Sequence, residues 1–212
     1  MFMKRYLLIN FAVLIMISLS CKKSTEESYP AVKADYYQLK VGNYWIYQSV
    51  RIDSAGHDTT FLPHLDSAYI EKDTLIRGYT FFKLYSDPSG LFGGNELSLL
   101  RDSSGYLINW YGKILCSDDN FTQVIAYDTL MPTAYMGYVS MTGRDSIINV
   151  PAGPIQSITS RMKVVPAPRY PQIPVRYVYS SYGKGIGMIK THNFYFMGNI
   201  KFEGWLVRYK LK

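Results

Sequence analysis

The chain has 212 residues, of which 48% are hydrophobic and 18% charged, a balance that excludes a wholly disordered polymer and leaves room for one domain with short appendages. The formal net charge of +7 falls to +5 once Lys4 and Arg5 are set aside with the leader described below, leaving 21 basic against 16 acidic side chains. That is a mild excess, and together with the export signal it argues against a nucleic-acid partner.

Lys4 and Arg5 supply a positive n-region, and Leu7 to Ile17 an apolar h-region of signal-peptide length, too short for a membrane-spanning helix and closed by Lys22 and Lys23. Ser20 precedes Cys21, and ISLSC resembles the lipobox at which a lipoprotein signal peptidase cuts. Its one departure is Ser18 where Leu is usual, a relaxation familiar from Bacteroidetes-type lipoproteins, which CKKS also resembles. The expected organisation is a signal peptide over 1–20, a lipidated Cys21 with a polar tether over 21–36, and a single β domain over 37–212. Two or more acyl chains on Cys21, palmitate among them, give stable attachment at about 0.8 kcal/mol per buried CH₂. Lys22 stands where enterobacterial lipoproteins retained at the inner membrane carry Asp, which points to the outer membrane. Glu26 and Glu27 come late for a surface-export signal, and the side of that membrane stays open. With Cys21 acylated, Cys116 has no disulfide partner and reads as a buried, inert thiol.

Twenty tyrosines recur in short aromatic and β-branched runs broken by Gly, Pro, Asn and Asp, the pattern of a pleated, half-buried surface. LKVGNYWIYQSVRID alternates with period two and predicts a strand. SAYIEKDTLIRGYTFFKLYSD predicts a hairpin turning at Arg77 and Gly78, and LSLLRDSSGYLINWYG a second one turning over Asp102 to Gly105. Further strands are predicted in FTQVIAYDTL, AYMGYVSM, RDSIINV and ITSRMKVV. The four prolines from Pro166 to Pro174 predict a loop of unassigned role. VRYVYSSY and GIGMIKTHNFYF follow, and EGWLVRYKLK reads as a half-buried terminal strand whose cations suit a guarded edge. No capped amphipathic helix of ten residues stands out. The fold class expected is all-β, an antiparallel meander of about nine to eleven strands forming a curved open sheet or half-barrel, with a small closed barrel or a sandwich as alternatives.

LKVGNYWIYQ, INVPAGPIQSITSRMKV and YGKGIGMIK, in that order, resemble a family of Bacteroidetes envelope lipoproteins and span most of residues 39 to 212. Pro154 and Ile155 depart from the Thr-Phe that usually follows VPAG. The resemblance implies the curved open sheet. It implies no catalytic residues, because the family has none established.

Chemistry-bearing patterns are sparse. His57, His64 and His192 form no compact metal signature, although His64 and Asp66 at spacing two share one strand face and read as a solvated pair in a loop. Asp118, Asp119 and Asn120 have turn composition, and Gly183, Gly185 and Gly187 suit turns or bulges better than a phosphate loop. No catalytic, metal-binding or cofactor-binding residue is assigned, and the chain is not read as an enzyme such as a hydrolase or metalloenzyme. The leading expectation is a binding module for an apolar or amphiphilic ligand or a partner protein, with Trp45 and Tyr47 as ligand-facing aromatics. The alternative is an accessory scaffold contacting polysaccharide or another envelope protein. Charge is uneven: Glu26 to Gly143 carries 8 basic and 14 acidic residues, and Arg144 to Lys212 carries 11 and 2. The expectation is that the two halves are neighbours in one sheet system.

Overall fold

A computed structural model describes residues 35–53, 59–86, 98–130, 134–194 and 200–212; Cys21 and His57 lie outside them. The alternating runs become twelve strands: β1 Tyr44–Ile52, β2 Thr59–Ile76, β3 Tyr79–Ser86, β4 Ser98–Ser103, β5 Tyr106–Asn109, β6 Ile114–Ser117, β7 Val124–Leu130, β8 Tyr135–Val150, β9 Gly153–Pro166, β10 Arg176–Gly183, β11 Gly187–Phe194 and β12 Lys201–Lys210. Every ladder is antiparallel. The strand order is β6-β5-β4-β3-β2-β1-β12-β11-β10-β9-β8-β7. The sheet is therefore two meanders fused at their first and last strands, and its two ends, β6 and β7, are consecutive in the chain.

The all-β meander is as expected, nearly closed into a barrel with one unsealed seam between β6 and β7. The strand missing from the expected set is β6, only four residues long and without a full period of alternation. The two segments AYMGYVSM and RDSIINV are one strand, β8, broken by a bulge after Thr142 in which Gly143 and Asp145 take φ of +62° and +54°. β12 is no edge: it pairs with β1 on one side and β11 on the other. Its cationic end faces solvent rather than a free ladder. The Pro-rich stretch is a loop between β9 and β10, and the two halves of unequal charge do share one sheet.

Long β2 runs through Pro63, a residue that cannot donate to a ladder. It is tolerated because the β1–β2 register shifts there, from Gln48↔Leu65 to Val50↔Phe61. Gln48 Nε2 donates to Leu62 O at 2.7 Å and satisfies a carbonyl in the bulge.

Inward-facing residues form two adjoining clusters. One gathers Tyr36, Tyr37, Leu100, Leu107, Cys116, Met141, Ile158 and Tyr182, the other Trp45, Tyr47, Ala68, Ile70, Val150, Ile155, Ile189 and Leu206. The body begins at Asp35, whose carboxylate accepts from the backbone N–H of Tyr37 and Gln38 at 3.0 and 2.9 Å and turns both tyrosines inward. Asn43, fully buried, accepts from Lys212 N at 2.8 Å and donates to Gln38 O at 2.8 Å, tying the end of the chain to the start of β1.

At the seam, side chains replace the missing ladder. Ser160 Oγ donates to Leu115 O at 2.6 Å, Ser117 N to Met141 Sδ at 3.3 Å, and Lys113 Nζ meets Asp128 Oδ2 at 2.5 Å. Edge β6 thus bonds the inner faces of β9 and β8, while the turn before it reaches β7 only through the Lys113–Asp128 pair.

Candidate functional site

Inside the curved sheet is a cavity of about 180 Å³. Trp45 and Tyr47 project into it from β1, Ala68 and Ile70 from β2, Leu100 and Leu107 from β4 and β5, Tyr182 from β10 and Met188 from β11. Tyr37 reaches it from the segment preceding β1, and its ring meets Tyr182 edge-on at 5.8 Å. Among the described residues, Ser86 and Ser98 are its only hydroxyl-bearing aliphatic side chains.

Three of the aromatic polar atoms are engaged by backbone. Trp45 Nε1 donates to Ile186 O at 2.6 Å, Tyr47 OH to Met188 O at 2.8 Å, and Tyr37 OH to Gly105 O at 2.9 Å. Burial raises the Tyr47 phenol well above its ordinary range. Burial does the same to Tyr37, reinforced by the neighbouring Cys116 and Asp118, and to Tyr182, reinforced by Cys116 and Tyr47. Cys116 is itself buried and its thiol pushed up by desolvation, with no disulfide. The wall is consequently neutral at physiological pH. What it can do is hold an apolar group out of water, at about 0.8 kcal/mol per buried CH₂.

Trp45 and Tyr47 are both core residues and cavity lining, each almost inaccessible to solvent. Sequence reasoning did not single out Tyr37, Leu100 or Tyr182. The last was legible as part of the alternation in VRYVYSSY, but the bulge at Ser181/Tyr182 shifts its register.

His64 and Asp66 do come together, with Nε2 3.7 Å from Oδ1. They lie in β2, however, and not in a solvated loop: Asp66 is fully buried on the inner face, while His64 is 45% exposed. The reason is that β2 begins at Thr59 and carries its alternation across the Pro63 bulge. Asp66 Oδ2 also takes a hydrogen bond from Ser49 Oγ. The serine donates to the carboxylate, and no hydrogen bond joins it to the imidazole, so this is not the serine–histidine relay of a nucleophile and its base.

A second polar group, not foreseen from sequence, lies on the outer face of β11 and β12. Glu203, 7% exposed, receives His192 Nδ1 at 3.0 Å, Lys190 Nζ at 2.8 Å and Trp205 Nε1 at 2.6 Å. Burial opposes its charge, but these three donors outweigh it and hold the carboxyl down at about 2. Cross-strand pairing makes the cluster, since Lys190 sits opposite Trp205 and His192 opposite Glu203. Among the described residues no three His, Cys, Asp or Glu side chains converge as a metal site. Asp119 N and Asn120 N bond Ser117 Oγ at 3.2 and 3.0 Å, the turn their composition predicts.

No protein-family model and no curated protein matches this chain. Two solved structures are similar to it in fold. A candidate lipoprotein from Parabacteroides distasonis aligns at 12% identity and a TM-score of 0.45, covering 84% of this chain and 99% of its own. A candidate exported protein with a YmcC-like fold from Bacteroides fragilis aligns at 12% identity and a TM-score of 0.37, with the same coverage.

Proposed function

We propose that the protein is a lipid-anchored envelope module that shelters the apolar end of an amphiphile in the cavity between Trp45, Tyr47, Leu100 and Tyr182, and performs no reaction on it. The observation that carries this reading is the neutral, aromatic-walled space of about 180 Å³ in which the Tyr37 and Tyr47 phenols and the Trp45 indole are already engaged by backbone. An apolar cavity of roughly 150 Å³ stays dry and accepts a benzene-sized guest, whereas a drug-sized ligand occupies about 300–1,000 Å³. The occupant is accordingly one ring or a short stretch of acyl chain, with the polar remainder outside. The anchor in this reading is the acylated Cys21, and the membrane is the outer one.

The test is photolabelling of the full lipoprotein in nanodiscs with octanoate bearing a terminal diazirine. The expected result is label on peptides containing Leu100 or Tyr182, lost in a Leu100→Trp variant that retains its β-sheet circular dichroism. Label confined to outward-facing residues, or unchanged in the variant, removes the reading.

A further inference from the structure

The turn after β5 presents two large rings to solvent on a rigid mount. Asn109 Oδ1 accepts from Tyr111 N at 3.1 Å and Lys113 N at 3.0 Å, Gly112 N donates to Asn109 O at 2.9 Å, and Asn109 N donates to Lys113 O at 3.0 Å. Gly112 supplies the φ of +84° that closes it. On this mount Trp110 is 47% and Tyr111 76% exposed, with ring centroids 4.0 Å apart. Exposing such rings does nothing for folding, and fixing them in place lowers the entropy cost of binding.

Two clefts meet at this turn, one of about 440 Å³ running over Tyr79, Phe81 and Arg101, the other of about 720 Å³ running to Tyr127 and Asp128. Arg101 is the informative residue. Its guanidinium lies 4.4 Å from the Tyr79 ring centroid and 5.6 Å from that of Phe81, and its buried Nε has no hydrogen-bond partner. It is an arginine with a five-donor fork in the acid-rich half of the chain, yet it forms no ion pair among the described residues. Its fork matches a carboxylate bidentately. In its cleft the rings of Tyr79, Trp110 and Tyr111 stand beside the side-chain amide of Asn109. A purely apolar partner covering this cleft would leave the Arg101 guanidinium without an acceptor. An acidic pyranose fits this cleft, with C–H faces for the aromatics, hydroxyl edges for the Asn109 amide and a carboxylate for the Arg101 guanidinium.

We propose that the clefts flanking Trp110 and Tyr111 bind an acidic saccharide, its ring stacked on these aromatics and its carboxylate on Arg101. This site is separate from the internal cavity and belongs to the acidic half of the chain, not to the basic C-terminal third.

The experiment is calorimetric titration of the full lipoprotein in neutral-lipid nanodiscs with tri-galacturonate and, in parallel, neutral tri-galactose. The expected result is about 10-fold or greater preference for the acid, about what one charge-assisted contact gives. Arg101→Gln should reduce that preference to under about 2-fold while Trp110→Ala weakens both sugars about 10-fold or more, by removing the shared stacking face. Equal affinity for the two sugars, no binding of either, or acid binding untouched by both variants overturns the proposal. So does flotation with phosphatidylglycerol vesicles that Arg101→Gln abolishes in the absence of sugar binding. Tyr111→Ala, which leaves the Asn109 backbone bonds in place, serves should Trp110→Ala fail to fold.

Discussion

Trp45 lies directly over Gly187: a Cβ built on that glycine would stand 2.9 Å from Trp45 Cζ2. The indole N–H completes the contact by bonding Ile186 O. Two segments at opposite ends of the chain, LKVGNYWIYQ and YGKGIGMIK, are therefore one packing unit. Gly187→Ala combines a backbone φ of +98° with that clash, and the expected loss is about 2–4 kcal/mol in urea unfolding. Gly78→Ala, at φ +82° with open space around it, isolates the backbone cost at about 1 kcal/mol.

Glu203 makes stability depend on acid. Its folded carboxyl titrates at about 2, below the ordinary 4.5, so its contribution is complete above pH 4.5 and drains away as pH falls toward 2. The contribution is of order 3 kcal/mol. Urea unfolding of the native protein and Glu203→Gln should converge across that interval, and a constant gap between them would contradict the assignment.

Asn43 holds the C-terminal end of the chain. Asn43→Ala should cost about 1 kcal/mol, since Lys212 N loses its acceptor and Gln38 O loses one of two donors, keeping Lys40 N. Hydrogen exchange at the Lys212 amide should rise more than at β10, where no contact changes.

The seam contacts should rank unequally. Lys113→Ala removes a partly exposed ion pair and should cost less than about 1 kcal/mol. Ser160→Ala unpairs Leu115 O and should cost about 1 kcal/mol or more, with faster amide exchange confined to β6.

Cys116 should resist alkylation in the folded protein, its thiol being buried and held protonated. Its rate of modification by iodoacetamide should follow global unfolding as urea is raised. Fast labelling without urea would show that β6 opens on its own.

Period-two alternation made the fold class readable, and hairpin turns at Arg77–Gly78 and Ser104–Gly105 fell where their residues put them, each pair at positive φ. What alternation does not carry is register. The bulges at Pro63, Gly143 and Ser181 each shift a strand's pairing, which is why Asp66 looked solvated and Tyr182 looked unremarkable. Nor does it carry strand order: the cations of β12 suggested an edge, but the partner that covers it is the first strand of the sheet. Glu203 was invisible for a similar reason, because its three donors come from across a ladder and from its own strand two residues on, with no motif in the chain. Trp45 and Tyr47 were legible as important but not for what they contact.

The pairing of β1 with β12 also constrains when the protein can become itself. Lys210 sits opposite Tyr44, 166 positions earlier, and loops of that span close late and at high entropic cost. Until β12 arrives, each meander has an open inner edge where its neighbour belongs. A chain made amino end first would thus stay unlocked, whatever else it had folded, until β12 was free to pair with β1 and β11.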